Sequence, residues 1–286
     1  MNYASVAEAE ALAEAGDAVA QNFVAAAYLS GSGIAADPSR ALHWFTAAAE
    51  QGHAAAQNDL AMLFAEGAIV PRDDEQAFFW FRAAAQQGLA VACVNVARCY
   101  GEGLGTSADL AQRVYWMARA AETGHAQAQN ELGVALLRGF GAERDPATAA
   151  LWFRRSAEQG FPHAQFNLAV CFELGDGVAV DTTEAVRWYE RAADQAFPPA
   201  MNNLGMCLEM GRGVEANLER AFWLFRGAAA MDFPPAEYNV GRCFERGAGV
   251  NANVDEATLW YFKAARVGHE ASIAALARLQ RADATG

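Results

Sequence analysis

Tryptophan recurs along this chain at a fixed spacing, and that spacing constrains the fold more than any other feature. Six of the seven tryptophans share one 36-residue register: Trp44, Trp80, Trp116, Trp152, Trp188 and Trp260. Leu224 holds the remaining place in the series, and Trp223 lies beside it. A period of this length is typical of proteins built from repeated supersecondary elements. The chain is therefore predicted to fold as a stack of like repeats.

Alanine and glycine recur with the same period. Alanine stands at every 36th residue from Ala20 to Ala236, and again from Ala49 to Ala265. A glycine in the middle of each repeat recurs without exception from Gly31 to Gly247. Another glycine closes most repeats, with Ala196 and Asp232 as departures. Small residues at fixed positions let neighbouring helices approach closely, which predicts regular packing without insertions.

Each repeat is predicted to contain two helices. The fourth repeat places Ala128, Leu132 and Leu136 on one face of the first helix, as the helical period requires. The mid-repeat glycine suits the end of that helix because it adopts positive φ at little cost. The second helix, which carries the tryptophan, is predicted to begin after a side chain that caps its free N–H groups. These caps are Asp37, Asp73, Asp109, Asp145, Asp181, Asn217 and Asn253.

The predicted fold class is all-α, as one continuous solenoid domain over residues 1–286. Residues 17–268 form seven repeats of 36 residues, between capping helices in residues 1–16 and 269–286. One repeat cannot bury its apolar stripe alone, so the repeats must stack. The tryptophans and their aromatic neighbours are interpreted as core residues that fill the space between layers.

Composition and charge exclude several functional classes. Hydrophobic residues make up 53% of the chain and charged residues 19%, which predicts a folded protein. The formal net charge of −13 disfavours binding to nucleic acid or to a membrane surface. The N-terminal residues are not expected to act as a secretory signal, and no apolar run reaches the roughly 18 residues of a membrane span. The five cysteines lack a CxxC motif, so reduced thiols in the cytoplasm are expected.

The repeats resemble the Sel-one-like repeat family, which is related to tetratricopeptide repeats. The fifth repeat carries the family pattern at Ala164, Leu168, Ala169, Phe172, Gly175, Gly177, Val178, Asp181, Ala185, Trp188, Tyr189, Ala192 and Ala193. The resemblance covers residues 16–277 and implies a right-handed α-solenoid that serves as an adaptor or scaffold, often in bacteria. Besides Ala196 and Asp232, Ile69 and Arg113 depart from the pattern, at a loop glycine and a second-helix alanine.

The resemblance also implies that the first helices line a concave groove, and this is the predicted binding site for a protein or peptide partner. Stacked asparagines can bond to an extended peptide backbone, and apolar residues with arginines beside them would complete the groove. The predicted site residues are Asn22, Asn58, Arg98, Asn130, Phe166, Val170, Asn202, Met206, Tyr238 and Arg242. Two alternatives stay open: the asparagines bond within the protein, and the apolar residues pack between helices.

No catalytic, metal or cofactor site is predicted. His53 and His125 are separated by two repeats, so they cannot bind one ion. Four cysteines recur in one first-helix register and are interpreted as small buried thiols, too far apart for disulfides. Some members of the family carry paired cysteines and have been associated with β-lactam binding, but this chain lacks that pairing. Known nucleophile, phosphate-loop and zinc motifs are missing from the sequence.

The predicted function is therefore a scaffold that holds a partner segment in the concave groove. A second hypothesis is a regulatory subunit that docks on an enzyme through convex or terminal surfaces. A hydrolase like that claimed for the cysteine-rich relatives is the third hypothesis and has the least support in the sequence. The oligomeric state is left open, because the residues that define a repeat are core residues and not surface residues.

Overall fold

A computed structural model describes Tyr3 and residues 5–283, and the prediction of an all-α repeat fold is confirmed. The described residues contain sixteen α-helices and no β-strand. The helices are α1 (Val6–Glu14), α2 (Ala18–Ser30), α3 (Pro38–Glu50), α4 (Ala54–Glu66), α5 (Asp74–Gln86), α6 (Ala90–Glu102), α7 (Leu110–Glu122), α8 (Ala126–Arg138), α9 (Pro146–Glu158), α10 (Pro162–Leu174), α11 (Thr182–Ala193), α12 (Pro198–Met210), α13 (Leu218–Ala229), α14 (Pro234–Arg246), α15 (Val254–Ala265) and α16 (Glu270–Asp283).

In chain order, the helices between α1 and α16 follow one another as seven successive pairs, from α2 and α3 to α14 and α15. We call the even-numbered helices of these pairs first helices and the odd-numbered ones second helices, and we number the repeats in chain order. Helices α1 and α16 lie within the predicted capping segments, and residues 284–286 are outside the described residues. The chain divides into two compact units, an N-terminal unit of residues 1–144 and a C-terminal unit of residues 145–286.

The predicted caps of the second helices are confirmed in every repeat. Each Asp or Asn precedes its helix, and its side chain accepts a backbone N–H from the first turn; six of the seven are in an extended conformation, and Asp145 has a ψ of 86°. Asp109, for example, accepts from the amides of Ala111 and Gln112 at 2.9 and 3.0 Å. These bonds satisfy donors that a helix cannot satisfy internally, so the capping residue sets where each second helix begins.

The residue at the closing turn has a positive φ whether or not it is glycine. Gly52 and Gly88 have φ values of 86° and 88°. At the two departures, Ala196 and Asp232 still have φ of 55° and 54°, a region that costs residues with a Cβ about 1–2 kcal/mol. The packing of the adjoining helices therefore determines this turn, and glycine only makes it less costly.

Alanines and one aromatic register of the second helices make up much of the core, together with aliphatic residues of the first helices such as Leu60 and Leu168. Phe45, Phe81, Phe153, Tyr189, Phe225 and Tyr261 are at most 1% exposed. The alanine four residues before each of these aromatic residues is at most 2% exposed. The interpretation of all seven tryptophans as core residues is wrong for Trp223, which is 56% exposed. Trp223 lies one position before the tryptophan register, and a shift of one position turns a helical side chain by about 100°.

Candidate partner-binding surface

The predicted first-helix residues of the N-terminal unit occupy different environments. Asn58 is buried; its Oδ1 accepts from Asn95 Nδ2 at 3.0 Å, and its Nδ2 donates to Asp59 at 3.3 Å. Asn130 is also buried. Asn22 is half-buried, with its Oδ1 covered and not hydrogen-bonded in the described structure, whereas Arg98 is exposed. The asparagine register is thus partly used inside the protein.

Asn202 repeats this arrangement in the C-terminal unit. Its Oδ1 accepts from Asn239 Nδ2 at 2.8 Å, and Asn202 is only 5% exposed. Its Nδ2 donates to the sulfur of Met206 at 3.9 Å. Asn58 and Asn202 each receive an amide from a residue 37 positions later, on the next first helix. These two asparagines therefore link successive layers through their carboxamides.

A second polar register accompanies the asparagines and was not predicted from the sequence. It lies one residue later in repeats two to seven and holds Asp59, Asn95, Glu131, Asn167, Asn203 and Asn239, whereas repeat one has Phe23. Asn95 and Asn239 supply the donors described above, and burial raises the pKa of Asp59. The signal was present in the sequence, because polar residues recur at 36-residue spacing on helices that are otherwise apolar.

The predicted apolar residues of the C-terminal unit are half-buried. The Phe166 ring packs against those of Tyr189 and Phe197, with centroids 5.8 Å apart in both pairs. Tyr238 packs against Tyr261 and His269. Val170 and Met206 are also half-buried. Inter-helix packing thus takes up part of each side chain and leaves the rest accessible.

Arg242 belongs to a row of charged side chains on the first helices. Its guanidinium pairs with Glu209 at 2.9 Å and donates to Asn239 at 2.8 Å. Glu245, one repeat after Glu209, pairs with Arg278 at 2.6 Å and accepts from Tyr261 at 2.6 Å. The Arg278 hydrogen bonds hold the pKa of Glu245 below its usual range. The charges of this row are balanced within the C-terminal unit.

Two adjoining cavities lie in the N-terminal unit, around the second helix of repeat three. The first has a volume of about 320 Å³ and is lined by residues of α6, α7 and α8. Its lining residues are Val94, Arg98, Gly101, Glu102, Arg113, Met117, Gln127 and Glu131. The second has a volume of about 310 Å³ and is lined by Leu110, Arg113, Val114, Met117, Glu131, Val134, Ala135 and Phe140. The two cavities share Arg113, Met117 and Glu131.

The cavities exist because two core registers change in repeat three. Arg113 stands where the other six repeats have a buried alanine, and Met117 where they have a buried aromatic residue. Gly101 of α6 leaves room for the arginine, since a Cβ there would lie 3.0 Å from Arg113 Cδ. Met117 is thinner than the aromatic ring of the other repeats, and Arg113 is longer than their alanine. Together these two changes leave open a space that is filled in the other repeats.

The shared wall of the cavities is polar. Arg113 Nη2 donates to Glu131 Oε2 at 3.4 Å, a long contact for an ion pair. Gln127 Nε2 donates to the other carboxylate oxygen of Glu131 at 2.9 Å. The side chains of Arg113 and Glu131 are 43% and 29% exposed. Among the described residues, the Arg113 guanidinium is therefore held at the cavity wall by one of its nitrogen atoms.

The second helices carry a row of exposed apolar side chains, which we call the second-helix row. Phe79 and Tyr115 form it in the N-terminal unit, at 58% and 52% exposure. Leu151, Trp223 and Leu259 form it in the C-terminal unit, at 59%, 56% and 62% exposure. All five residues share one 36-residue register. This surface was not among the predicted site residues.

The thiols and acidic groups form no reactive or metal-holding cluster in the described residues. All five cysteines are free and buried, and burial raises the pKa of Cys99, Cys171, Cys207 and Cys243 to about 11. Among the residues that the structure describes, no three His, Cys, Asp or Glu side chains converge to hold an ion. Nor is any helix in this part of the chain long and apolar enough to span a membrane.

Comparison with known proteins identifies the repeat. The model of the Sel1 repeat, written Sel-one-like above, matches residues 18–53, 54–89, 90–125, 126–161, 162–197, 198–233 and 234–269. A protective antigen present in uropathogenic Escherichia coli strains, which displays an SLR fold, has a TM-score of 0.89 and 30% identity. This alignment covers 97% of the chain, and the chain spans 59% of the antigen's length.

A Sel1 repeat protein from Oxalobacter formigenes is also similar. It has a TM-score of 0.76 and 31% identity, and the alignment covers 96% of this chain and 79% of that protein. No curated protein matches the chain. The similarity to solved structures therefore extends over nearly the whole chain.

Proposed function

Because the chain belongs to the Sel1 repeat family, whose repeats generally mediate protein–protein interactions, we propose that it is a scaffold that binds a segment of a partner protein along its first helices. The observation that carries this proposal is the pair of cavities in repeat three. Elsewhere the same core registers are closed by alanine and an aromatic ring. An open, partly charged site among packed repeats suits recognition better than it suits stability.

The contact residues that we propose are the accessible members of the predicted site. In the N-terminal unit they are Asn22 and Arg98, and in the C-terminal unit Phe166, Val170, Met206, Tyr238 and Arg242. Asn58, Asn130 and Asn202 are buried, so they support the surface from below. The proposed site therefore stays on the first helices, and its three buried asparagines position the residues that contact the partner.

The proposed scaffold needs no cofactor and carries out no catalysis of its own. Free thiols at all five cysteines suit a reducing compartment such as the cytoplasm, where we propose that the protein acts. Burial keeps the thiols protonated at neutral pH, which leaves them poor nucleophiles.

Paired surface variants of equal exposure test the proposed location. Leu174→Asp with Met210→Asp changes the ends of two first helices, where these side chains are 65% and 56% exposed. Leu151→Asp with Trp223→Asp changes the second-helix row at 59% and 56% exposure. Both pairs introduce two charges on the C-terminal unit without opening its core. Circular dichroism verifies that each variant is folded.

The readout is crosslinking of purified protein to its partners, with quantification of each captured protein by mass spectrometry. Loss of one captured partner by at least tenfold with the first-helix pair alone supports the proposal. Equal capture by wild type, by the first-helix pair and by an Arg113→Ala variant, which changes the cavities, contradicts it.

A second candidate function is supported by the second-helix row. Five exposed apolar side chains in one register form the kind of surface that marks docking sites. A regulatory subunit that docks on an enzyme through this face is therefore the alternative. Selective loss of the partner with the Leu151→Asp, Trp223→Asp pair identifies this function instead.

A further inference from the structure

We propose that the two cavities of repeat three bind an acidic side chain of the partner segment together with a bulky apolar side chain next to it. This inference rests on the proposed scaffold function and specifies its partner. All of the lining residues belong to the N-terminal unit, from Val94 to Phe140. The acidic group occupies the cavity between α6 and α8, and the apolar group occupies the cavity lined by α7, α8 and Phe140.

Arg113 selects the acidic group. Only its Nη2 has a partner in the described structure, and that contact is 3.4 Å long, so the second hydrogen of Nη2 and the neighbouring N–H of Nε or Nη1 are available as a pair to an incoming carboxylate. A guanidinium binds a carboxylate through two parallel N–H donors with better geometry than an ammonium. Arg98 lies in the lining of the same cavity and has no hydrogen bond to the described residues. It supplies a second positive charge.

The acidic residues of the cavity do not favour a cationic partner. Glu131 already accepts from Arg113 and from Gln127. Glu102 is exposed at the end of α6, one turn from Arg98. The formal net charge of −13 repels an acidic partner at long range, but salt at 0.1 M screens that repulsion beyond about 10 Å. The contact with Arg113 acts at hydrogen-bond distance.

The second cavity selects the apolar group. Leu110, Val114, Val134 and Phe140 contribute apolar walls, and Met117 adapts its shape to different occupants. Its volume of about 310 Å³ admits a leucine or phenylalanine side chain. Because Arg113, Met117 and Glu131 line both cavities, the acidic and apolar groups must be close in the partner sequence. In an extended segment the two groups belong to neighbouring residues, and in a helical segment they belong to residues one turn apart.

Selection from a random peptide library tests the inference while the natural partner is unidentified. Twelve-residue peptides are displayed inside a loop, so that no chain terminus is free, and a second library displays them with a free C-terminus. The full chain is the bait. We expect the internal library to yield peptides with Asp or Glu near Leu or Phe, which then bind wild type as amidated synthetic peptides.

Variants that restore the ordinary repeat sequence identify the binding site. Arg113→Ala places the residue of the other six repeats, so it should fold, and peptide binding should weaken at least tenfold. Met117→Phe restores the aromatic core residue and should weaken binding by filling the cavity. Arg82→Ala removes an exposed arginine of α5 and should leave binding unchanged. Arg113→Lys should recover part of the lost affinity.

Each other outcome overturns the inference. Peptides without acidic residues, or peptides that bind Arg113→Ala as tightly as wild type, exclude the cavities as the site. Enrichment in the free C-terminus library alone means that a terminal carboxylate is the ligand. Failure to enrich any peptide also rejects the inference. Peptides that lose binding with Leu174→Asp, Met210→Asp but not with Arg113→Ala reject the inference and support the scaffold function.

Discussion

Two regions of the molecule have the same repeat registers, but their side chains pack differently at equivalent positions. Around repeat three, in the N-terminal unit, Arg113 and Met117 line open cavities beside Val94 and Gly101. The equivalents 72 residues later, in the C-terminal unit, are Ala185, Tyr189, Phe166 and Glu173. There the Tyr189 ring is fully buried against Phe166, and its hydroxyl donates to Glu173 at 2.7 Å. Both regions consist of a first helix followed by a second helix, and the side chains at these registers close one site and leave the other open.

Under the proposed function, core registers of a repeat carry recognition. Surface registers vary without effect on the stack, but a change at a core register creates a cavity with fixed walls. Repeat three combines such a change at position 113 with a compensating glycine at position 101. The departure from the repeat pattern is therefore supported by its neighbours, as expected of a functional site.

Loss of Tyr189, the aromatic residue that closes the region in the C-terminal unit, should have the strongest effect on stability. Tyr189→Ala leaves a cavity and removes the partner of Glu173 and Asn203, so it should lower the free energy of unfolding by about 3–5 kcal/mol. Met117→Ala should cost about 2 kcal/mol, near the lower limit for such changes, because space is already present. Urea denaturation followed by circular dichroism measures both. Equal costs would mean that the two regions are packed alike.

Alkaline pH should weaken the C-terminal unit more than the N-terminal unit. Burial raises the pKa of the Cys171, Cys207 and Cys243 thiols to about 11, against about 8.5 in an unfolded chain. Between these values the unfolded chain releases protons that the native protein retains, so stability falls as pH rises from about 8.5 to 11. The N-terminal unit has Cys93 and Cys99. We expect a difference on the order of 2 kcal/mol between the units.

Cysteine substitutions measure this pH effect. Urea denaturation at pH 8 and pH 10.5 is compared for wild type, for Cys171→Ala with Cys207→Ala and Cys243→Ala, and for Cys93→Ala with Cys99→Ala. The triple variant should lose less stability between the two pH values than the double variant does. An identical pH response of all three proteins contradicts the assignment to buried thiols.

Closing the open site should stabilise the N-terminal unit at the cost of recognition. Arg113→Ala with Met117→Phe gives repeat three the core residues of its neighbours and should raise the free energy of unfolding by about 1 kcal/mol, as cavity-filling changes do. Hydrogen exchange should slow in residues 90–140 and stay unchanged in residues 162–212, since stability in an array is local. Faster exchange in residues 90–140 would show that the open site is already optimally packed.

The coupling between Gly101 and Arg113 should produce the weakest of these effects. Alanine at a helical glycine normally stabilises by about 0.5–1 kcal/mol, but a Cβ at Gly101 would lie 3.0 Å from Arg113 Cδ. Gly101→Ala should therefore be neutral in wild type and stabilising by about 0.5 kcal/mol with Arg113→Ala. A double-mutant cycle measures this difference. Additive effects would mean that the glycine does not make room for the arginine.

Much of the fold could be predicted from the sequence because the helices and caps of each repeat depend on residues close together in the chain. Asp109 and its equivalents cap the second helices as predicted, since the cap bonds involve residues two or three positions apart. The same local logic failed for Trp223, where a displacement of one residue placed the ring in solvent. It also missed the link between Asn58 and Asn95, which joins side chains on successive helices.

The repeat length, the helix pairs, their caps and the registers of the core all followed from the amino-acid pattern alone, because they depend on short-range bonds and on helical periodicity. The pattern also marked Arg113 as a departure. That this departure opens two cavities became visible only in the packed molecule, because their walls come from three helices whose side chains meet after packing. A cavity depends on the volume left between side chains, and no pattern along one chain records that volume.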